Sequence, residues 1–236
     1  MGNNIVITGA SSEIGLAIYK KIVKPGDTAI LQCNKNSNKL KDNVSINCEV
    51  ITADFTDHKS LDHFLEKIKK TDILINVAAV TKTNLLPYYQ DEDIKMMIDV
   101  NIVSLVKICR SVIPAMIIKK KGCIVNISSV AASRGNRGQS VYAGTKGFVE
   151  SFSRSLAAEY GSKNIRVNCV APGPIDAGAL KKLLIYADDE VKKSIVSPRL
   201  GTPDDVAAVV AFLCSEGATF INGKIIPVDG GTMMGL

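Results

Sequence analysis

Tyr142 and Lys146 lie four residues apart, a spacing that puts both side chains on one face of a helix, about one turn from each other. A neighbouring ammonium favours the phenolate, so the pair is expected to bring the tyrosine pKa down from about 10 towards working pH. Tyr142 then becomes a proton donor for a carbonyl under reduction. A Y-x-x-x-K pair also arises by chance on exposed helices, so its meaning depends on what surrounds it. Ser129, thirteen residues upstream of Tyr142, adds a hydroxyl that can hold a carbonyl oxygen. Ser128 beside it could equally be a loop hydroxyl.

Short Val/Ile-rich runs alternate with longer segments of helical period. They predict strands near 3–8, 27–33, 46–52, 72–77, 122–128, 164–170 and 224–228, and helices over 13–24, 58–69, 92–119, 140–160 and 203–214. Many of the strand runs are apolar at nearly every position, as burial on both faces requires, so the fold class is α/β, a doubly wound parallel sheet in one domain over residues 1–236. Asn34 to Asn43 leaves room for only a turn or two of helix. Thr202-Pro203-Asp204-Asp205 reads as a helix start, with a capping Thr, Pro at the first helical position and acids in the first turn.

Composition narrows the function. A chain of 236 residues, 46% hydrophobic, can bury a sizeable core. The net charge of +6 comes from scattered basic residues, and with 5% aromatics there is no basic-aromatic stripe for nucleic acid. Lys119-Lys120-Lys121 is the densest basic run, read either as a solvated helix end or as a docking point for an acidic partner. No continuous apolar run nears the roughly 20 residues that cross a bilayer. The six cysteines form no C-x-x-C pair, which fits a reduced, cytoplasmic protein without structural disulfides. His58 and His63 sit on a polar helix with no metal-ligand cluster, so no metal is expected.

Thr8-Gly9-Ala10-Ser11-Ser12-Glu13-Ile14-Gly15 ends the first strand and opens the first helix. A turn of this kind lets backbone N–H groups meet a pyrophosphate at the positive end of a helix. Gly9 permits the tight turn, and Gly15 permits close helix-strand packing.

The chain here resembles the short-chain dehydrogenase/reductase family, whose motif is T-G-x-x-x-G-x-G, and the resemblance runs over essentially its whole length. It implies a Rossmann-like dinucleotide-binding fold with Ser129, Tyr142, Lys146 and Asn101 as the catalytic set; the spacing to Tyr142 selects Ser129 over Ser128. In that reading Tyr142 protonates the developing alkoxide. Lys146 lowers its pKa and holds the nicotinamide ribose. Asn101 holds a water in a relay towards Lys146. The resemblance places Gly9, Ser11, Ser12, Ile14 and Gly15 around the cofactor pyrophosphate, Asp54 and Phe55 by the adenine, and Asn76 and Ala78 after the fourth strand. Pro172, Gly173 and Ile175 match the nicotinamide-side loop. Arg199-Leu200-Gly201 and Val228-Asp229-Gly230-Gly231 match the C-terminal signatures.

Three positions depart from the family pattern. Glu13 replaces the middle glycine and is expected to turn to solvent; Ala79 replaces the Gly of N-A-G; Ala177 replaces a Thr that bonds the nicotinamide amide. The second strand ends in Gln32-Cys33-Asn34-Lys35 with no acid for a ribose 2′-OH. Lys35 could pair with a 2′-phosphate and Asn34 could donate to it, so NADP(H) is favoured over NAD(H). Gly135-Asn136-Arg137-Gly138-Gln139 before Tyr142 resembles 3-oxoacyl-acyl-carrier-protein reductases. That implies a carbonyl substrate, small or carried by an acidic acyl carrier protein, with Lys119 to Lys121, Lys163 and Arg137 as steering residues. Sugar and other alcohol dehydrogenases carry much the same motifs. A non-catalytic dinucleotide sensor would lack one of Ser, Tyr or Lys, and all three are present. The stretch Gly178 to Pro198 is expected to form a substrate lid, and the resemblance implies an oligomer, commonly a homotetramer.

Overall fold

Each Val/Ile-rich run becomes a strand, and each amphipathic segment between runs packs back over the sheet they form. The computed structural model describes residues 2–35, 37–44, 47–178 and 195–234. Seven strands build one sheet: β1 (Asn4–Thr8), β2 (Thr28–Cys33), β3 (Cys48–Thr52), β4 (Ile73–Asn76), β5 (Gly122–Ile127), β6 (Ile165–Pro172) and β7 (Ile225–Val228). All neighbouring pairs are parallel, in the order β3-β2-β1-β4-β5-β6-β7. The helices are α1 (Glu13–Ile22), α2 (Ser37–Lys41), α3 (His58–Lys67), α4 (Asp91–Ile98), α5 (Ser104–Lys119), α6 (Ser140–Tyr160) and α7 (Pro203–Cys214).

Alternation along each strand feeds two separate cores. Val6, Leu74, Ile124 and Val167 point to the face covered by α3, α5 and α6. Ile5, Ile7, Ile75 and Val125 point to the other face, with Ile18 of α1 and Val206 and Val210 of α7. A one-residue slip in any central strand would exchange the two sets, but because both faces are apolar it is packing shape that fixes the register.

The chain builds β1, β2 and β3 outward, then returns to place β4 on the other side of β1. This reversal leaves a crevice beyond the C-terminal ends of β1 and β4, where Thr8 is registered against Asn76. Open α/β sheets bind ligands at such a switch point.

The expected helix over 92–119 is interrupted. Between α4 and α5 the turn Asp99–Val103 is a π-helix, and Ser104 N–H bonds back to Asp99 O. Wider turns of this kind recur at functional sites, and this one carries Asn101. The continuous span Asp91–Lys119 is by length and composition apolar enough to cross a bilayer. Its apolar side, however, including Leu105, Ile108, Val112 and Met116, packs into the core on the sheet. Thr202 caps α7 through a reciprocal capping box with Asp205. Most of the expected lid, residues 179–194, lies outside the described residues.

Candidate active site

The dinucleotide end is built from the Gly9 turn. Gly9 has φ of +62°, and a Cβ there would stand 2.7 Å from Ala78 N, so only glycine fits both the turn and the approach of the segment after β4. A Cβ on Gly15 would stand 2.5 Å from Gly9 O. Thr8 Oγ1 accepts from both Val77 N and Ala78 N at 3.1 Å, tying β1 to the end of β4. Ser12 caps α1 by accepting from Gly15 N at 3.0 Å, and its hydroxyl donates to Gly9 O at 2.8 Å. One contributor was not foreseen. Gln32 accepts from Gly9 N at 2.8 Å and donates to Ala53 O at 2.7 Å, holding the turn against the end of β3. A buried amide within the apolar β2 run was the available signal.

A cleft of about 300 Å³ opens beside this turn. Of the expected cofactor residues, Gly9, Ser11, Ser12, Asn34, Phe55 and Ala78 line it. Ile14 and Gly15 form the first turn of α1 beside it. Asp54 caps its own turn, accepting from Thr56 N at 2.9 Å and Thr56 Oγ1 at 2.7 Å. These bonds hold its carboxyl below the usual range, with smaller help from Asn34 and Lys35. Lys35 is exposed at this rim. Pro172 is the last residue of β6, and Gly173 and Ile175 follow it. A Cβ on Gly173 would meet Asp229 Cα at 2.7 Å, and Ile175 bridges to Gly201. The glycine-walled turn, the helix N-terminus and the cleft together fit a dinucleotide.

Asn76, at the end of β4 as expected, does not line this cleft. Its side chain runs under the cleft, where Nδ2 donates to Asn126 Oδ1 at 2.8 Å and Oδ1 is buried without a partner. With Thr8, Asn101 and Lys146 it lines an internal cavity of about 10 Å³, near the lower limit for one water.

At the end of β5 the two serines diverge. Ser128 is buried and donates to Glu150 Oε1 at 3.0 Å. Ser129 caps a 3-10 turn, accepting from Ala131 N at 3.2 Å, and its hydroxyl is near enough to the Tyr142 phenol to favour the phenolate. Tyr142 and Lys146 share the α6 face turned to this point, with Lys146 Nζ 5.8 Å from the ring centroid. Lys146 is buried, and its Nζ donates to Ile127 O at 2.8 Å. Burial brings its pKa down to about 8, against a smaller opposing pull from Cys169.

The expected pull of Lys146 on the phenol is overturned. Burial raises the Tyr142 pKa, and the opposing influence is the Ser129 hydroxyl. The ammonium is committed to a backbone carbonyl and is itself weakened by desolvation, so it does not dominate. The phenol therefore keeps its proton at neutral pH, the form that can donate. Asn101 is clamped: Oδ1 accepts from Val80 N at 2.8 Å, while Nδ2 donates to Val80 O at 2.9 Å and Thr145 Oγ1 at 3.0 Å. It thus fixes the segment after β4 against α6, with Lys146 one residue beyond Thr145.

Two further expectations are corrected. Glu13 does not turn away to solvent. Its Oε2 accepts from Gly178 N at 2.7 Å, a contact 165 residues away that spans from α1 to the loop after β6. A carboxylate at a helix N-terminus satisfies the dipole and here also a loop N–H. Lys119, Lys120 and Lys121 close α5 and precede β5, and Lys163 precedes β6. They sit at the N-terminal edge of the sheet, opposite the cleft, with Lys119 held by Asp72 at 2.6 Å. Of the proposed steering cations, Arg137 alone is in the loop leading to Tyr142. Ala79 is harmless in this backbone, since the described non-glycine residues with positive φ are Lys120 and Asn164. His58 and His63 are exposed, and no metal-binding cluster occurs among the described residues.

A family profile described as enoyl-(acyl carrier protein) reductase matches residues 9–233. The chain belongs to the short-chain dehydrogenase/reductase family. Among its relatives within that family, the 3-oxoacyl-(acyl-carrier-protein) reductase of Chlamydia pneumoniae is 36% identical, covering 98% of this chain and 97% of the relative. That of Escherichia coli (strain K12) is 35% identical, covering 99% and 98%. Among solved short-chain dehydrogenase/reductase structures, ElxO with NADP bound superposes with a TM-score of 0.90 at 28% identity, covering 99% of both chains. A candidate NAD(P)-dependent gluconate 5-dehydrogenase of Beutenbergia cavernae, with NADP at low occupancy, gives 0.91 at 26% identity, covering 98% and 97%.

Proposed function

We propose that this short-chain dehydrogenase/reductase reduces the 3-oxo group of an acyl thioester to a hydroxyl with NADPH. The observation that carries the reading is the meeting of the Ser129 and Tyr142 hydroxyls, with Lys146 buried one turn along, beside a glycine-walled cleft. The relatives named as 3-oxoacyl-(acyl-carrier-protein) reductases supply the substrate class.

Held in this cleft, NADPH would supply the hydride for the carbonyl carbon. Ser129 and Tyr142 then converge on the carbonyl oxygen, where negative charge grows, so their hydrogen bonds strengthen towards the transition state. Tyr142 releases its proton to that oxygen. Lys146, close to its own pKa, stabilises the phenolate left behind. Asn101 keeps Thr145 and the wall of the small cavity fixed, and a water there would connect Lys146 to replacement protons. Gly9, Ser11 and the first turn of α1 would hold the pyrophosphate. Asn34 and Lys35 would take the 2′-phosphate, since β2 ends without an acid that would favour an unphosphorylated ribose. Arg137, in the loop leading to Tyr142, is the cation we assign to an acidic carrier. Assembly into a homotetramer is part of the proposal, with α6, whose Phe148 is left half-buried, as the contact face. Six free cysteines suit a reducing cytoplasm.

The likeness to a candidate gluconate 5-dehydrogenase keeps a sugar substrate as a second reading. Following NADPH oxidation with acetoacetyl thioesters, simple ketones and keto-sugars separates them. Turnover of the thioester supports the first reading; turnover of keto-sugars alone replaces it with the second. An NADH preference above tenfold would overturn the cofactor assignment.

A further inference from the structure

Away from the cleft, three side chains meet at the N-terminal edge of the sheet. Cys123, early in β5, is registered directly against Arg166 of β6. Its Sγ lies 3.6 Å from Leu213 O on α7. The next residue of α7 is Cys214, which packs against the same apolar cluster as Cys123 and interacts electrostatically with its thiol. Arg166 Nη2 donates to Cys123 Sγ at 3.7 Å, and Nη1 is buried with no partner. Among the described residues no carboxylate forms an ion pair with Arg166.

A guanidinium cannot shed its charge as a buried lysine can. Taken partly out of water, it needs an anion. The group it touches is a thiol, and a thiolate would complete the pairing. The contact with Cys214 and the field of Arg166 pull the Cys123 thiol down, while its neighbour pushes Cys214 up. A thiolate beside a second thiol is the arrangement of an oxidisable pair. The other cysteines serve as internal controls. Cys33, Cys109 and Cys169 are buried as Cys123 is, and there burial raises each pKa with no guanidinium bonded to the sulfur to oppose it. Cys48 is half-buried and contacts Tyr19.

We propose that Cys123 and Cys214 are a peroxide-reactive dithiol that closes to a disulfide between β5 and α7, with Arg166 as the group that activates Cys123. The Cys123 thiolate attacks one oxygen of hydrogen peroxide. An S–O bond forms, the O–O bond breaks, and the departing hydroxide takes up a proton to leave as water. Cys214 then gives up its proton and attacks the sulfenic sulfur; the S–S bond forms and a second water leaves. Two electrons pass from sulfur to peroxide.

The test needs no catalytic assay. The folded protein is treated with a small excess of hydrogen peroxide, alkylated, digested and mapped by mass spectrometry. The expected product is a Cys123–Cys214 cross-linked peptide that appears at least tenfold faster than any change at Cys48. Cys214→Ser should abolish the cross-link and leave a sulfenic acid at Cys123 that dimedone captures. Arg166→Met should slow the reaction about tenfold, and Arg166→Lys should recover part of the rate. Far-ultraviolet circular dichroism identifies any variant that has lost the fold. Oxidation at Cys48 first, cross-linking only in urea, or an Arg166→Met rate equal to wild type would overturn the proposal.

Discussion

Lys146 and Arg166 are cations on the same sheet, and neither pairs with a carboxylate among the described residues. One stands at the C-terminal edge beside the cleft and the other at the opposite edge. Lys146 is buried on a single carbonyl, and desolvation brings its pKa down to about 8. Arg166 keeps its charge and leans on a thiol. The contrast shows why a lysine belongs where protons must move. Its charge is conditional, so it can respond to a phenol that loses and regains a proton. A guanidinium in the same place would stay ionised throughout, and it can act only by changing what its neighbour does.

The sharpest test of the catalytic edge is Tyr142→Phe. It should lose at least about two orders of magnitude in kcat while NADPH binding, followed by fluorescence, stays close to wild type. Near-normal turnover would sink the assignment of the proton donor.

Lys146 gives the next largest effect. Its folded pKa lies below the ordinary lysine value, so below about pH 8 the cost of burying the ammonium is present in full. As pH rises through 8 the unfolded chain binds more protons than the folded one, and stability should climb by about 1 kcal/mol per pH unit until the unfolded lysine also titrates. Urea midpoints compared between pH 8 and 9.5, before ordinary tyrosines ionise, should show this climb in wild type and lose it in Lys146→Met. An equal slope in both proteins would mean that Lys146 is better solvated than the structure shows.

Glu13 sharpens the cofactor side. Its carboxylate stands in the first turn of α1, where a pyrophosphate would bring like charge. Glu13→Gln keeps an acceptor for Gly178 N and removes the charge, so calorimetry should find NADPH bound about fivefold tighter, roughly 1 kcal/mol. Glu13→Gly should also bind more tightly. Weaker binding in both would make the Gly178 bond a support of the cofactor loop rather than a competitor for the phosphates.

The smallest expected effect lies among the lysines. Lys121→Glu, at the edge opposite the cleft, should leave KM for a carrier-linked substrate unchanged. Arg137→Glu should raise it a few-fold, and more at low salt. A change with Lys121→Glu would put the carrier on the wrong face of the molecule for this site.

The strands were legible because double-sided burial leaves apolar runs that short polar segments separate. All seven lie within a residue or two of their predicted positions. The Ser129, Tyr142 and Lys146 pattern was also legible, since a helix and one strand end fix those distances locally. What escaped depends on contacts remote in sequence. Nothing near Glu13 signals that its partner is Gly178, and nothing near Tyr142 signals how much water its hydroxyl keeps. The site of Lys119 to Lys121 could have been deduced, because residues preceding a parallel strand must lie at the edge away from a switch-point cleft. Gln32 left a trace, an amide in a run of aliphatic side chains, that was read only for the missing acid.

The wide turn at Asp99–Val103 has a consequence for how this chain can vary. An α-helix advances by about 100° per residue. Deleting any one residue of that turn would let the helix wind regularly, yet it would swing Asn101 off Val80 and Thr145 or rotate the whole of α4 about its axis. Insertions and deletions should therefore be tolerated in the loops before α4 and after α5 long before they are tolerated here. This turn is a frameshift in three dimensions that the protein has every reason to keep.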